Sequence, residues 1–281
     1  MTAGTRERVT ARYDFVTAEA DYRAAENPPR RSILVCTSMR SGSTLLGEAM
    51  YFAGGLGCPL EYYNSGFRPG FEQRWDARDI VAYTAALHRW RTDASGTFST
   101  KLFWQDMLPL VEEIDSRLIT GLPGPDAAQW RDEHYRQVWS TIAPLFPKPI
   151  FVRLLRKDEL AQSISNFVAG ATRRYRLFGW QPAPATPDYD FDAIVRALAA
   201  VQNHNRHWQR FLAANALMHR TILYEDLSEN YDAAVSALLA NLGAETHVAP
   251  KPRLNRQRGA HSEEIRARFL GEFRLRAQGG G

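Results

Sequence analysis

One stretch near the amino terminus constrains the fold more than any other. Residues Arg31–Ser38 (RSILVCTS) form a short apolar, β-branched run, which predicts a buried strand. A Ser- and Gly-rich turn, Met39–Thr44, follows at once, and then a helix-like stretch, Leu45–Ala53, which ends at Gly54 and Gly55. In this order of elements, backbone N–H groups and a helix amino terminus can hold an anion.

The alternation of strand and helix continues along the rest of the chain. The predicted strands are Phe98–Phe103, Pro149–Leu155 and Arg220–Tyr224, and the predicted helices are Asp158–Ala169, Phe191–Asn215 and Tyr231–Leu242. Strands that alternate with helices predict the α/β class, here a three-layer parallel sheet flanked by helices in a P-loop-like arrangement.

The chain is predicted to form one domain. A length of 281 residues with 44% hydrophobic residues is enough to bury one large core. We expect an N-terminal extension, residues 1–30, followed by a single domain, residues 31–277. The segment Phe178–Asp190 contains three prolines and cannot be regular structure, which predicts an inserted lid loop at residues 172–190.

Charge and cysteine content narrow the partners and the compartment. The net charge of +4 comes without a run of Lys or Arg, so it suits a small polyanion and does not favour nucleic acid. Cys36 and Cys58 are predicted to be free thiols of a reducing compartment. The polar first residues lack the apolar core of a signal peptide, and no apolar run has the length of a membrane span. These features predict a cytoplasmic protein.

The turn departs from the ATP/GTP-binding pattern GxxxxGK[ST] at a decisive position. The window Thr37–Thr44 keeps Gly42 and Thr44, but Ser43 occupies the place of the Lys that reaches the β- and γ-phosphates. The turn therefore favours one phosphate-like group, with Arg40 at its rim, over a nucleoside triphosphate. A P-loop nucleotide kinase or other NTPase and a non-catalytic nucleotide-binding module remain the alternatives.

Several short motifs occur in an order that is typical of one enzyme family. They are SMRSGST (Ser38–Thr44), GCPLEYY (Gly57–Tyr63), KLFW (Lys101–Trp104), LRKDELAQSISNF (Leu155–Phe167), YEDL (Tyr224–Leu227) and RQ (Arg256–Gln257). With these motifs the chain resembles the sulfotransferases that use 3'-phosphoadenosine-5'-phosphosulfate (PAPS), in particular the bacterial family of trehalose 2-sulfotransferase. The resemblance implies a sulfotransferase fold, PAPS as donor, 3',5'-diphosphoadenosine (PAP) as product, and no metal.

The resemblance also assigns roles at the donor site. Arg40 takes the place of the basic residue that steadies the leaving phosphate, and Tyr224 that of the tyrosine near the adenine. The groups expected to hold the 5'-phosphate are those of Ser41, Gly42, Ser43 and Thr44.

A second cationic site is needed for the 3'-phosphate. The resemblance gives this role to Arg156 and Ser165, with Ser163 as an alternative, because bidentate guanidinium geometry suits a phosphate. Arg256 and Gln257 are expected to close over the same phosphate, and Arg253 or Arg258 could replace them.

The most specific prediction concerns the identity of the general base. Many animal and plant sulfotransferases carry a catalytic His two residues after the Lys that Lys101 matches, but here that position holds Phe103, which cannot take a proton. The resemblance assigns the base to Glu61, whose neighbours Pro59 and two tyrosines could partly desolvate the carboxylate. Lys101 either steadies the transferring group or pairs with a carboxylate.

The acceptor is left open between a sugar such as trehalose and a bacterial natural product, as is O- against N-sulfation. Aromatic side chains are expected to line the acceptor site, namely Tyr62, Tyr63, Trp104 and Trp180, with Phe67 and Trp75 nearby. His204 and His207 share a helix face but lack a third ligand, so no metal site is predicted. The family resemblance implies a homodimer.

Overall fold

A computed structural model describes residues 14–175, 187–254 and 260–279. Its sheet has four parallel strands in the order β2-β1-β3-β4. Their bounds are β1 Arg31–Thr37, β2 Thr97–Phe103, β3 Pro149–Leu155 and β4 His219–Leu223. Each predicted strand is present, and its bounds agree with the prediction to within a residue.

Helices connect the strands and cover the sheet. Those of the described ranges are α1 Ser43–Ala53, α2 Arg68–Trp75, α3 Ile80–Arg91, α4 Trp104–Ile114, α5 Ser116–Ile119, α6 Asp132–Ile142, α7 Glu159–Thr172, α8 Phe191–Ala214, α9 Tyr224–Glu229, α10 Tyr231–Leu242 and α11 Ala260–Gly279. Of these helices, α1, α7, α8 and α10 were predicted from the sequence. The helices α2 to α6, α9 and α11 were not predicted.

Two hydrophobic cores lie on opposite faces of the sheet. Along β1, Leu34 and Cys36 face a core shared with α3, α4, α6 and α8, whereas Ile33 and Val35 face a core shared with α1 and α10. This alternation follows from the two-residue period of a strand. All four side chains are fully buried, and burial of an aliphatic side chain stabilises a fold by about 1.5–3 kcal/mol. The predicted three-layer α/β fold is confirmed.

The described part of the predicted N-terminal extension packs onto the domain. The Phe15 ring lies 4.5 Å from the ring of Tyr51 on α1, and Asp21 forms a 2.8 Å ion pair with the fully buried Arg91 at the end of α3. Most of the predicted lid loop, residues 176–186, lies outside the described residues. Cys36 and Cys58 are both buried free thiols.

The parallel strands bring four chain segments to one edge of the sheet. β1 leads into the turn before α1, β2 into α4, β3 through Arg156 into α7, and β4 into α9 at Tyr224. Ligands of open α/β sheets bind outside the carboxyl ends of the strands, so this edge is where a site is expected. Among the helices in the described ranges, none has the length and apolar character that crossing a bilayer requires.

Candidate active site

The turn between β1 and α1 contains a glycine in the left-handed region directly before the helix. Gly42 precedes α1 with a φ of +91°, and a Cβ atom there would lie 2.6 Å from Cδ2 of Tyr224. Glycine is therefore required both by the backbone and by the close approach of the tyrosine ring. The Oγ atoms of Thr37 and Ser41 lie 2.6 Å apart, and this hydrogen bond ties the turn to the end of β1.

A buried polar network supports this turn from behind. Gln162 on α7 donates from Nε2 to Ser38 Oγ at 2.9 Å and to the Met39 carbonyl at 2.6 Å. Asn205 on α8 accepts at Oδ1 from Ser38 Oγ at 3.1 Å and from Arg153 Nη2 at 2.9 Å. Buried polar groups that form hydrogen bonds with one another in this way rigidify the segment they hold. Neither Gln162 nor Asn205 was predicted from the sequence.

Two arginines meet above the turn. Arg40 has a φ of +63°, and its Nε donates to Ser165 Oγ at 3.1 Å, while Nη1 donates to the Tyr175 carbonyl. Arg156 donates from Nη1 to the Arg40 carbonyl at 3.3 Å, and its guanidinium lies 4.5 Å from the centre of the Tyr224 ring. Burial and the neighbouring Arg156 lower the pKa of Arg40. Paired cations of this kind favour an anionic ligand.

The structure separates the two serines proposed for the 3'-phosphate. Ser165 faces the cavity and contacts Arg40. Ser163 is fully buried, and its Oγ donates to the Glu159 carbonyl within α7 at 2.6 Å. Of the two serines, Ser165 is therefore the one that contacts Arg40 and faces the cavity. We call Arg40, Arg156, Ser165 and Tyr224 together the arginine region.

One cavity of about 610 Å³ adjoins both the turn and the predicted base. Its wall includes the arginine region, the first residues of α1, and side chains of a segment before α2 that we call the Glu61 loop (residues 60–67). Phe103 and Gln105 line it from the end of β2. The cavity is also lined by Leu254 and, at the start of α11, by Ser262. Arg256 and Gln257, which were expected to close over the 3'-phosphate, lie between them and outside the described residues.

The pairing of Leu60 with strand β2 determines where the Glu61 carboxylate lies. Leu60 forms a parallel bridge with Thr100, and the Lys101 amide donates to the Leu60 carbonyl at 2.9 Å, so Glu61 comes beside Lys101. The Lys101 Nζ atom lies 2.9 Å from Glu61 Oε1. The Lys101 side chain is 2% exposed and that of Glu61 is 20% exposed. Of the two roles considered for Lys101, the structure shows the pairing with a carboxylate.

The three described aromatics predicted to contact the acceptor lie in the core instead. Tyr62 is fully buried and donates from its hydroxyl to the Cys58 carbonyl at 2.6 Å. Tyr63 packs edge-on against Tyr83 and Phe146, and Trp104 stacks on a buried imidazole with ring centres 4.4 Å apart. Their rings fill space between the sheet and its covering helices, so the expectation that they line the acceptor site is corrected.

Other predicted acceptor groups differ in their placement. Phe67 lines the cavity, whereas Trp75 stacks on Phe71 in the core, and Trp180 lies outside the described residues. Asn64 and Gln105 line the cavity and were not predicted. Asn64 lies in an irregular segment, where periodicity gives no direction for a side chain, and Gln105 lies in the first turn of α4, a helix that was not predicted.

The histidine pair of α8 belongs to the core as well. His207 is fully buried, with Nδ1 3.0 Å from the Tyr135 hydroxyl and Nε2 2.9 Å from the Pro125 carbonyl. Burial lowers the pKa of His207 to about 4. In the parts of the chain that the structure describes, no group of three or more His, Cys, Asp or Glu side chains could hold a metal ion.

Comparison with known proteins agrees with this geometry. A family model described as Stf0 sulphotransferase matches residues 32–272. The chain belongs to the Stf0 sulphotransferase family. The match spans every cavity-lining residue named above, from the turn after β1 to the start of α11. Membership makes the chain a transferase and favours that class over the NTPase alternative.

Two trehalose 2-sulfotransferases resemble this Stf0 sulphotransferase along most of its length. The protein of Mycobacterium tuberculosis is 25% identical over 268 residues, which cover 86% of this chain and 95% of that protein. The protein of Mycolicibacterium smegmatis is 25% identical over 256 residues, which cover 84% of this chain and 93% of that protein.

Proposed function

We propose that this sulphotransferase moves the sulfuryl group of PAPS to a hydroxyl of a small acceptor, giving a sulfate ester and PAP. The observation that carries the proposal is the meeting of Arg40 and Arg156 at the amino end of α1, inside a cavity that also contains the Glu61 carboxylate. Two cationic groups suit a donor with separate phosphates, and Ser43 in place of the P-loop Lys argues against a triphosphate.

The donor would bind with its two phosphates at different parts of the arginine region. The backbone N–H groups of the turn and of the first turn of α1 would hold the 5'-phosphate, as helix amino termini hold anions. Arg156 and Ser165 would hold the 3'-phosphate. Arg40, which contacts Ser165 here, would turn to the bridging oxygen and stabilise the charge on the leaving phosphate.

Glu61 would act as the general base for the acceptor. Its Oε1 is held by Lys101, so Oε2 is the atom assigned to the hydroxyl proton. The acceptor oxygen attacks the sulfur in line, the bond from sulfur to the bridging oxygen breaks, and PAP leaves with that electron pair while the proton passes to Glu61. Catalysis of such a loose transfer depends on positioning and electrostatics.

For the acceptor we propose a hydroxylated small molecule, either a sugar or a bacterial natural product. The two relatives are named for sulfation of trehalose, which favours trehalose as the first candidate. The cavity wall combines an apolar ring, Phe67, with the amides of Asn64 and Gln105. A mixed wall of this kind is typical of small-molecule sites that orient polar groups.

Mass spectrometry tests the proposal. The enzyme is incubated with PAPS and either trehalose or a metabolite extract of the host, and products are searched for the mass gain of one SO₃ group. We expect such a product with the wild-type enzyme and far less of it, after the same incubation, with the Glu61→Gln variant. PAP binding with no sulfated product in any extract would favour a binding module, and Mg²⁺-dependent consumption of ATP would favour a kinase.

A further inference from the structure

A second carboxylate lies close to the predicted base, and the proposed reaction gives it no role. Asp106 is in the first turn of α4, directly after the strand that carries Lys101. Asn64 donates from Nδ2 to Asp106 Oδ1 at 3.1 Å and lies 3.4 Å from Oδ2. Because Asn64 lines the cavity, Asp106 reaches the site through this amide.

Asn64 closes the turn that begins at Glu61. Its backbone N–H donates to the Glu61 carbonyl at 3.1 Å, and its Oδ1 accepts from the Gly66 amide at 3.0 Å. The Asn64 carbonyl in turn accepts from the amides of Phe67 and Arg68, both at 3.0 Å, where α2 begins. The backbone of Asn64 therefore sets the path of the chain on the carboxyl side of Glu61, and its side-chain oxygen adds a further contact to the same turn.

The two sides of Glu61 are fixed by different means. On the amino side, the bridge between Leu60 and Thr100 and the ion pair with Lys101 connect it to the edge of the sheet. On the carboxyl side, two tyrosines are buried in the core, and Asn64 follows with its amide turned to Asp106. The contact between Asn64 and Asp106 is thus one polar connection from this side of the loop to α4, beside the ion pair of Arg68 with Glu113.

The charges of Glu61 and Asp106 also act on each other. Burial, and to a smaller extent the charge of Glu61, raise the pKa of Asp106 to about 7, although the hydrogen bond from Asn64 opposes this. Lys101 stands on the other side of Glu61, on β2. Two further titratable side chains, Tyr135 on α6 and His207 on α8, pack against α4. Both contact Trp104, which lies two residues before Asp106.

We propose that Asp106 is a positioning residue for Glu61, which it holds in place through Asn64. The inference rests on the proposed function, in which Glu61 takes the acceptor proton. A hydrogen bond from the Asn64 amide to the Asp106 carboxylate keeps the turn closed, and the closed turn aims the Glu61 carboxylate at the acceptor hydroxyl. Misplacement of a reacting group by about 1 Å can cost about 10²-fold in rate.

Paired variants separate the hydrogen bond of Asp106 from its charge. Asp106→Ala removes the acceptor of the Asn64 amide, and we expect kcat to fall by about 10- to 10²-fold with the Kd of PAP unchanged. Asp106→Asn keeps an oxygen for that hydrogen bond and should restore most of kcat. Asn64→Ala should lower kcat at least as much as Asp106→Ala, because it also removes the contact with the Gly66 amide. The double variant should lose no more than Asn64→Ala alone, because both substitutions break the contact between Asn64 and Asp106.

The matched control lies at the other end of the same helix. Asp115→Asn makes the same chemical change at the residue that caps α5 by accepting from the Arg117 amide, and it should leave kcat unchanged. Thermal unfolding of every variant shows which of them fold as the wild type does. A normal kcat in a folded Asp106→Ala variant would overturn the proposal.

A measurement on the free enzyme tests the same contact without turnover. Carbon-13 NMR of the side-chain carboxyls follows the titration of Asp106, and Asn64→Ala should move this titration up because the hydrogen bond from the Asn64 amide, which lowers the pKa of Asp106, is lost. No response of Asp106 to Asn64→Ala would overturn the proposal. If this response is present but the wild type forms no sulfated product, the proposed function fails instead, so the two failures are distinguishable.

Discussion

The arginine region and the Glu61 loop border the same cavity but are built differently. Arg156 and Tyr224 directly follow strands at the carboxyl edge of the sheet, and Ser165 lies on a long helix. The Glu61 loop precedes β2 and attaches to its outer edge through a single bridge at Leu60. The proposed donor site is thus set by regular elements, and the proposed acceptor site by a loop whose direction depends on individual side-chain contacts.

The largest effect is expected in the Glu61 loop. Glu61→Gln keeps an oxygen for Lys101 but cannot take a proton, so turnover should fall by about 10²- to 10⁴-fold. The Kd of PAP should stay near the wild-type value, because donor binding is assigned to the arginine region. The exposed Glu112 on α4 offers the matched control Glu112→Gln. A near-normal kcat with a raised acceptor KM would make Glu61 a binding group and not the base.

The second largest effect is expected in the arginine region, on the affinity for PAP. Arg156→Ala should weaken PAP by about 1.5–3 kcal/mol for each charge-assisted hydrogen bond lost. Adenosine 5'-phosphosulfate lacks the 3'-phosphate and should lose much less. The exposed Arg220 on β4 provides the control Arg220→Ala, which removes the same charge away from the cavity. Calorimetry that finds equal losses for both nucleotides would remove Arg156 from the 3'-phosphate site.

A glycine substitution tests whether the turn itself is shaped for the donor. In Gly42→Ala the new Cβ would meet the Tyr224 ring at 2.6 Å with φ at +91°. We expect the free energy of unfolding to fall by about 1–3 kcal/mol, together with the affinity for PAP. Gly70→Ala on α2 is the control, because a Cβ there has nothing within 4 Å. Unchanged urea unfolding and PAP binding in Gly42→Ala would show that the turn tolerates a side chain.

The smallest effect belongs to the buried histidines. Burial lowers the pKa of His88 and of His207 from 6.5 to about 4, so between these values the two imidazoles bind protons in the unfolded chain that they do not bind in the folded chain. The two histidines should therefore lower the stability as the pH drops through this window, whereas the raised pKa of Asp106 acts in the opposite direction. Urea unfolding at about pH 7 and about pH 5 separates the contributions, because His88→Gln should remove part of the loss while the exposed His219→Gln should not. The same pH dependence in His88→Gln as in the wild type would contradict a buried neutral imidazole at His88.

The contrast between the two regions also explains what the sequence could predict. The strand run Arg31–Ser38 and its Ser/Gly turn specify local structure directly, and parallel strands must bring Arg156 and Tyr224 to the same edge. By contrast, Tyr62 and Tyr63 directly follow Glu61 in sequence but turn into the core, because burial of a large aromatic ring stabilises the fold. No local pattern distinguishes a ring that contacts an acceptor from one that anchors a loop.

The polar contacts that support the turn between β1 and α1 illustrate a second limit of prediction from the sequence. Gln162 and Asn205 lie on different helices, and only the packed fold brings them to Ser38 and Met39. Arg153 on β3 contacts Asn205 in the same way. The spacing of apolar residues predicts α7 and α8 correctly, but it does not show which polar side chain on a helix becomes buried. The same holds for Asp106, whose partner Asn64 is far away in sequence.

A single calorimetric comparison tests the central claim, that the cavity is built for PAPS. PAP is titrated into the wild-type enzyme in the presence of a chelator, and ATP is titrated in the presence of Mg²⁺. We expect PAP to bind more tightly, without any metal, because the 3'-phosphate is proposed to bind Arg156 and Ser165, and because Ser43 replaces the P-loop Lys. Tighter binding of ATP with Mg²⁺ than of PAP would contradict the account.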